Sequence, residues 1–411
     1  MSYSLRPYQQ ECADFVLDKL KTYKAPILLN LSCAYGKSFL IADIAKRSGM
    51  KTLILTISKE LCEQDFAKLS IVMDGQGVGM YSASWGRKET EYLTVATVQS
   101  AYKHPELWQD YELVIADEVD ASFNLDGMFG TLVDNKKVIG LSATCYGTVG
   151  SRQGRWFTTK LWVLHKIKSK THGWFWQPIA YNTSENELLA KGYLCPIKYF
   201  SSPTDCSLLK MTSNGSEYTL ESLEDWTDHI FMRAIQVMQG AEKNGMCHSG
   251  LVFLPSVESC IALECLCQQC GMDAKAVHYK TPAKERDEII EAHKNGKLKW
   301  IINQGVCCRG FDSPKTDCIV NLRPTCSLRL HRQIMGRLLR VHPDKKIGYF
   351  FDLTNNLERW GRVEDVEMGK NGWQDTILLR GKDISGMEIS KINVSRLRTR
   401  EDEENTTRRR F

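Results

Sequence analysis

No stretch of this 411-residue chain approaches the ~20 uncharged apolar residues that a membrane-spanning helix needs. The opening, MSYSLRPYQQ, lacks a basic flank followed by an apolar run. No secretory leader is therefore expected, and the sequence assigns the chain to the cytoplasm. Charge of one sign is also scarce: Lys+Arg 54 against Asp+Glu 49 leaves only +5. The total does not announce a nucleic-acid partner, so the distribution of charge has to. A disulfide framework is excluded as well. The fifteen cysteines are an odd number; Cys145 and Cys318 sit in apolar strand-like runs, and Cys307 and Cys308 are adjacent. Free thiols in a reducing compartment account for this pattern. Of the cluster Cys260, Cys265, Cys267 and Cys270, only Cys267-x-x-Cys270 has zinc-like spacing, and no second pair accompanies it. The run VESCIALECLCQQCG reads instead as a helix ending at Gly271, with cysteine used as a small apolar residue. What remains is ordinary for a globular protein: 43% hydrophobic and 25% charged residues. At about 150 residues per domain, two domains and an extension are expected.

The first 145 residues alternate short apolar runs with amphipathic stretches. APILLNLSC, KTLILTIS, YLTVATV, YELVIADE and KKVIGLSAT read as strands buried on both faces. KSFLIADIAKRSG and SKELCEQDFAKLS read as the helices between them. The alternation returns with SGLVFLPS, DAKAVHYK, KWIINQG, DCIVNLRP and KIGYFFDLT, and with helices such as AKERDEIIEAHKNG and SLRLHRQIMGRLLR. Strands alternating with helices give an α/β fold, here two parallel-sheet domains in tandem. The expected divisions are 1–198, 199–354, and a C-terminal extension over 355–411 whose charged end is frayed.

From Asn135 to Ser184 there is no acidic residue, while Lys136, Arg152, Arg155, Lys160, Lys166 and Lys168 alternate with Trp156, Trp162, Trp174 and Trp176. An accessory segment over about 145–184 is expected, with Arg155, Trp156, Lys160 and Lys168 as candidates for phosphate contact and base stacking. Core tryptophans under a solvated basic rim are the competing reading.

Ser32-Cys33-Ala34-Tyr35-Gly36-Lys37-Ser38 lies between a buried strand and an amphipathic helix. A loop entering a helix offers unpaired N–H groups and the positive dipole end to a polyphosphate. Gly36 lets the backbone approach, Lys37 can reach the β and γ phosphates, and Ser38 can hold Mg²⁺. The glycine that opens the full phosphate-loop pattern is replaced by Leu31. Asp117 and Glu118 follow the strand YELVIA, where ligands meet an open α/β sheet. Asp117 suits Mg²⁺, and Glu118 suits positioning or deprotonating the attacking water. Ser142 to Thr144 could relay phosphate state or cap a helix. In the second half, Arg337 and Arg340 are three apart and would share a helix face as a phosphate clamp. A salt-bridged basic surface helix is the alternative.

In this order the elements resemble superfamily 2 helicases, and within them the RadD-like and UvsW/XPB-like DNA branch, over roughly Leu5 to Asp352. Leu5 to Gln9 resembles the adenine-sensing motif, Ser32 to Ser38 motif I, Thr56 to Gln64 Ia, and Thr97 to Ser100 Ib. Asp117 to Asp120 resembles motif II, Ser142 to Thr144 III, Leu251 to Pro255 IV, Asn303 to Asp312 V, and Gln333 to Arg340 VI. Ala34 stands where motif I usually has glycine, Tyr35 is bulky for its place, and the zinc region following the RadD-like motor is absent. The resemblance implies two RecA-like domains and an ATP-dependent helicase using ATP and Mg²⁺. It puts Arg6, Gln9, Ala34, Tyr35, Gly36, Lys37, Ser38, Gly310 and Asp312 at the nucleotide, and Ser38 and Asp117 at the metal. Lys37, Asp117, Glu118, Gln333, Arg337 and Arg340 are the implied catalytic set. Ser58, Thr97, Gln99, Thr281 and Asn303 are the implied strand contacts, which makes forked or branched DNA the expected, largely sequence-independent partner. An RNA helicase, and a nucleic-acid-binding regulator with a degenerate motor, are the alternatives.

Overall fold

The computed structural model describes residues 3–122, 130, 132–153, 156–168, 175–202, 204–308 and 311–394. They fall into two compact units. The first comprises Met1–Gly147, Trp162–Ser184 and Lys370–Asp375. Its strands are β1 (Ile27–Leu31), β2 (Thr52–Thr56), β3 (Val78–Ser82), β4 (Arg87–Lys88), β5 (Leu93–Thr97), β6 (Leu113–Asp117) and β7 (Lys137–Ser142). The ribbon β8 (Tyr146–Gln153) and β9 (Trp156–Val163) follows, then β10 (Tyr181–Thr183). The main sheet runs β10-β1-β7-β6-β2-β5-β3-β4, and every pairing in it is parallel except β3 with β4.

Strands β1, β2, β5 and β6 are buried along their whole length, as continuous apolar runs between two helical layers should be. Helix α1 (Pro7–Thr22) and helix α3 (Lys59–Val72) both pack on α2 (Lys37–Ser48). Because the strands are parallel, their carboxyl ends share one edge of the sheet. The phosphate-loop candidate, Ser58, Thr97, Asp117 and Ser142 all sit at or just after those ends.

The second unit comprises Thr148–Leu161, Glu185–Gly369 and Thr376–Phe411. Thr148–Leu161, grouped with the first domain in sequence, is thus counted with the second unit. The chain leaves and re-enters the first unit within β8 and β9. Strands β11 (Ile197–Ser201), β12 (Gly250–Phe253), β13 (Ala274–Val277), β14 (Trp300–Asn303), β15 (Cys318–Asn321) and β16 (Gly348–Asp352) form an all-parallel sheet ordered β11-β16-β15-β12-β14-β13. Helices α4 (Phe231–Lys243) and α5 (Val257–Gln269) bury Ile235, Met238, Cys260, Leu263 and Cys267 in one core with Trp300 and Val320. The cysteine-rich run is therefore a helix with two cysteines facing the core, while Cys265 and Cys270 are exposed. Among the described residues, no group of three or more His, Cys, Asp or Glu is arranged to hold a metal ion.

The C-terminal extension is more ordered than its weak periodicity suggests. Strands β17 (Val366–Asn371), β18 (Gln374–Leu379) and β19 (Lys382–Asp383) form a third sheet. No helix among the described residues is long and apolar enough to cross a membrane.

Candidate nucleotide and nucleic-acid sites

Gly36 ends the phosphate loop at φ 83, a left-handed conformation that glycine adopts without cost, and α2 starts at the next residue. A Cβ at Gly36 would also lie 2.6 Å from Gln9 Nε2. Ala34, in the place of the usual glycine, is likewise left-handed at φ 61. The substitution therefore keeps the loop's shape and stores backbone strain, of the order of 1–2 kcal/mol, at the site.

Tyr35 has a different purpose from its neighbours. Its ring is buried against Tyr8, centroids 4.8 Å apart and edge-on, and its hydroxyl donates to the Tyr8 carbonyl at 2.9 Å. Tyr8 returns a bond to the Tyr35 carbonyl at 3.1 Å. The bulky residue is thus half of a clasp between α1 and the loop, and its side chain is turned away from any phosphate. Gln9 reinforces the clasp: Nε2 donates to the carbonyls of Tyr35 at 3.0 Å and Gly36 at 3.2 Å, and Oε1 accepts from Arg6 N–H at 2.9 Å. The amide expected to read a base is engaged by the loop, so reading one requires exchanging one of these bonds. Arg6 itself is exposed, with Nη1 3.3 Å from the Tyr8 hydroxyl.

At the head of α2, Lys37 faces both carboxylates that end β6. Its Nζ is 3.4 Å from Asp117 Oδ1 and hydrogen-bonds to Glu118. Burial disfavours the ammonium, but Asp117 and Glu118 outweigh it and hold the Lys37 pKa above the ordinary lysine value. Burial, partly countered by Lys37, pushes Asp117 up to about 6. Glu118 sits at φ 52, a left-handed conformation for a non-glycine residue directly after a strand. The next carboxylate, Asp120, accepts from Ser142 Oγ at 2.6 Å and from Thr144 Oγ1 at 2.8 Å. Of the two readings of Ser142 to Thr144, the side chains thus favour a link between the ends of β6 and β7 over a helix cap.

One member of this group went unread in the sequence. Asp65 on α3 is 2% exposed, and neither carboxylate oxygen has a hydrogen-bond partner within ordinary range. Burial first, and then the charge of Asp117, push it up to about 8, while Ser38 and Lys37 pull the other way. The readable signal was positional: Leu61, Cys62, Asp65, Leu69 and Val72 form the buried stripe of α3, and a carboxylate has no apolar reason to be there. Ser32 Oγ in the loop and Asp117 Oδ1 are also buried without a hydrogen bond. Orphaned oxygens beside a lysine and a helix start fit a cation-bearing polyphosphate, with Ser38 and Asp117 as the residues that would hold Mg²⁺.

The second unit corrects the helical clamp. Helix α6 (Leu328–Met335) stops before both arginines: Arg337 lies in tight turns from Ile334 to Leu338, and Arg340 follows them. The chain turns there so that Leu338 and Leu339 are buried, Leu338 against Gly348. Arg337 and Arg340 still converge, each donating through Nη1 to the Phe311 carbonyl at 2.7 and 2.5 Å, and Arg340 pairs with Asp312 at 3.0 Å. Gln333 is buried in α6. The buried arginine of this segment is a third one, Arg332, paired with Glu185 at 2.5 Å. Gly310 lies outside the described residues.

The implied strand contacts divide. Gln99 is exposed, and Ser58 and Thr281 are half-buried, Ser58 capping α3 through Leu61 N–H. Thr97 and Asn303 are buried and committed: Thr97 to Ser100 at 2.9 Å, Asn303 to the Val252 carbonyl at 2.9 Å and Cys307 N–H at 3.2 Å. As placed, they position the loops and do not face a polymer. Within the basic-aromatic window, Trp176 is core, since a Cβ on Gly140 would meet its indole at 2.4 Å. Lys160 is half-buried in β9 and bridges to Glu388, and Lys168 is exposed. Arg155 and the Trp156 side chain lie outside the described residues.

Residues 2–147 match the family described as type III restriction enzyme, res subunit, and residues 231–342 match the helicase conserved C-terminal domain. The chain is 24% identical over 372 residues to IRC3 of Saccharomyces cerevisiae, which carries the name of an ATP-dependent helicase. That match covers 85% of this chain and 51% of IRC3. The DNA 3'-5' helicase XPB of Kineococcus radiotolerans is 23% identical over 368 residues, covering 86% of this chain and 60% of XPB. The chain thus spans about half to three-fifths of the length of these two relatives. Among solved structures, the type ISP restriction-modification enzyme LlaBIII bound to DNA is similar at TM-score 0.58 and 15% identity, over 86% of this chain and 28% of that one. Dbp5 of S. cerevisiae bound to RNA and ADP BeF3 is similar at 0.56 and 14%, over 84% and 83%. These likenesses identify the fold as two RecA-like domains.

Proposed function

We propose that the chain is a superfamily 2 helicase, an ATP-driven motor that unwinds or remodels forked or branched DNA, a reading supported by the two matched families and the helicases it resembles. Its placement in the RadD-like and UvsW/XPB-like branch is part of the proposal. The observation that carries it is the cluster of Lys37, Asp117, Glu118 and Asp65 at the carboxyl edge of one parallel sheet, beside a loop that opens a helix. Lys37, now held by carboxylates, would exchange them for the β and γ phosphates. Glu118, released from Lys37, would orient and deprotonate the attacking water. Ser38 and Asp117 are the residues that would hold Mg²⁺, which would supply countercharge to the phosphates. In the second unit, Arg337 and Arg340 converge on the Phe311 carbonyl, an arrangement that suits phosphate oxygens. Gln99, Ser58 and Thr281 are the strand contacts retained in the proposal. DNA is preferred to RNA because the relative XPB is named for DNA.

The test is ATP turnover without polymer and with single-stranded, duplex, forked and four-way DNA and RNA. Stimulation by DNA that Lys37→Ala lowers at least about a hundredfold is the expected result. Stimulation by RNA alone would move the substrate, and no turnover under any condition would leave a binding protein.

A further inference from the structure

We propose that Trp373, raised on a hairpin tip beside the basic-aromatic window, is a stacking platform for an unpaired base of single-stranded nucleic acid. The proposal deepens the motor reading by naming a contact that none of its motifs supplies. Trp373 is 93% exposed, against 67% for Tyr279, the next most exposed large hydrophobic side chain among those described. It occupies the two-residue link between β17 and β18, where Gly372 takes φ +60 as a tight turn requires. A tryptophan so placed buries almost nothing against its own fold, and a polar residue would fill the position at less cost.

The tip is held firmly while its indole is left out. Gln374 Oε1 accepts from Lys166 Nζ at 2.9 Å. Buried Asp375 Oδ2 accepts from Ile179 N–H at 2.7 Å and lies 3.0 Å from His165 Nδ1. These partners belong to the segment without acidic residues, and all lie in the first unit. Lys166 lies 5.9 Å from the Trp162 ring centroid, while Lys168 and Lys370 are exposed. Asp375, the one carboxylate at the tip, faces inward and is committed to Ile179 and His165. The surface therefore offers cations and a flat apolar face together on a fixed pedestal. A partner carrying phosphates and exposed aromatic faces, which is single-stranded nucleic acid, matches both the cations and the flat face.

Full-length Trp373→Ala and Trp373→Phe are compared with the parent for binding of labelled oligo-dT and of the same oligonucleotide made abasic. The expected result is a loss of about tenfold for Trp373→Ala on oligo-dT, most of it restored by phenylalanine. With abasic strand, parent and variants should bind alike, and polymer-free ATP turnover and melting temperature should not change. Equal binding of oligo-dT by parent and Trp373→Ala overturns the platform, as does an equal loss on abasic strand. Failure of the motor reading looks different: no polymer stimulates turnover, yet the Trp373 effect on binding persists.

Discussion

Asp65 is the residue whose surroundings make least sense without a ligand. A carboxyl group buried on the apolar stripe of a helix, with Ser38 as its nearest polar support, is costly in the free protein. Burial raises its pKa to about 8, so at neutral pH folding has to protonate it, and replacement by asparagine at nearly constant volume removes that cost. Asp65→Asn is expected to raise the stability of the nucleotide-free protein by at least about 1 kcal/mol, read as the urea midpoint. The same variant should lose part of the thermal stabilisation conferred by ATP with Mg²⁺, because it removes a carboxyl group that a bound cation would ionise beside Ser38 and Asp117. An unchanged midpoint together with an undiminished nucleotide response would show that Asp65 is satisfied as it stands. Ala34 and Glu118 complete the pattern, since two of the five non-glycine residues with positive φ among those described belong to this site.

At the scale of elements, α1 and the phosphate loop behave as one piece because Tyr8 and Tyr35 exchange hydroxyl-to-carbonyl bonds. The Tyr35 carbonyl also accepts from Gln9, so removing one hydroxyl leaves no orphan there. Tyr8→Phe and Tyr35→Phe should therefore each cost only about 0.5–1 kcal/mol. Their effects should also couple, the double variant departing from additivity by about 0.5 kcal/mol in a denaturation cycle. Additive losses would mean that the two bonds are independent and that no clasp exists. The tyrosines illustrate what a sequence can and cannot reveal. Most of the ten expected strands were legible as apolar runs buried on both faces, although β13 exposes Lys275 and β16 alternates buried with half-buried residues. Strands β3, β10 and β11 were not: VGMYS and IKYFS mix small, polar and aromatic residues, and Tyr181–Thr183 spans only 3 residues. Lys37 and Asp117 were legible by type and place along the chain. The turn that ends α6 before Arg337, and the burial of Thr97 and Asn303, depend on packing against distant segments and leave no local signature. Hairpin β17–β18 went unread although it left a local signal, since Gly372 opens its two-residue turn at the position where such turns favour glycine.

For the molecule as a whole, acid acts unevenly on the two units. In the second unit, burial lowers His293 to about 4 and likewise His331 to about 4. Their neutral rings face Ser249 and the Leu298 carbonyl in one case and the Gly361 carbonyl in the other. Unfolded, both titrate near 6.5, so between about 6.5 and 4 the unfolded chain binds more protons and stability falls as pH falls. Above that window both forms are neutral and the histidines contribute no slope. From pH 7 to 5 each histidine should cost about 2 kcal/mol. Asp352 opposes them: burial raises it to about 6, so the folded state takes up its proton first and recovers roughly 1 kcal/mol over the same interval. Glu364, also raised by burial, works in the same direction as Asp352. The two histidines and Asp352 together leave an expected loss of about 3 kcal/mol in the second unit, which Glu364 lessens. Denaturation followed by exchange at the core strands, Trp300–Asn303 against Leu113–Asp117, separates the units while both remain in one chain. His331→Gln should flatten the slope of the second unit by about half. A pH-independent second unit, or a slope that survives removal of both imidazoles, would mean that the histidines are charged in the fold.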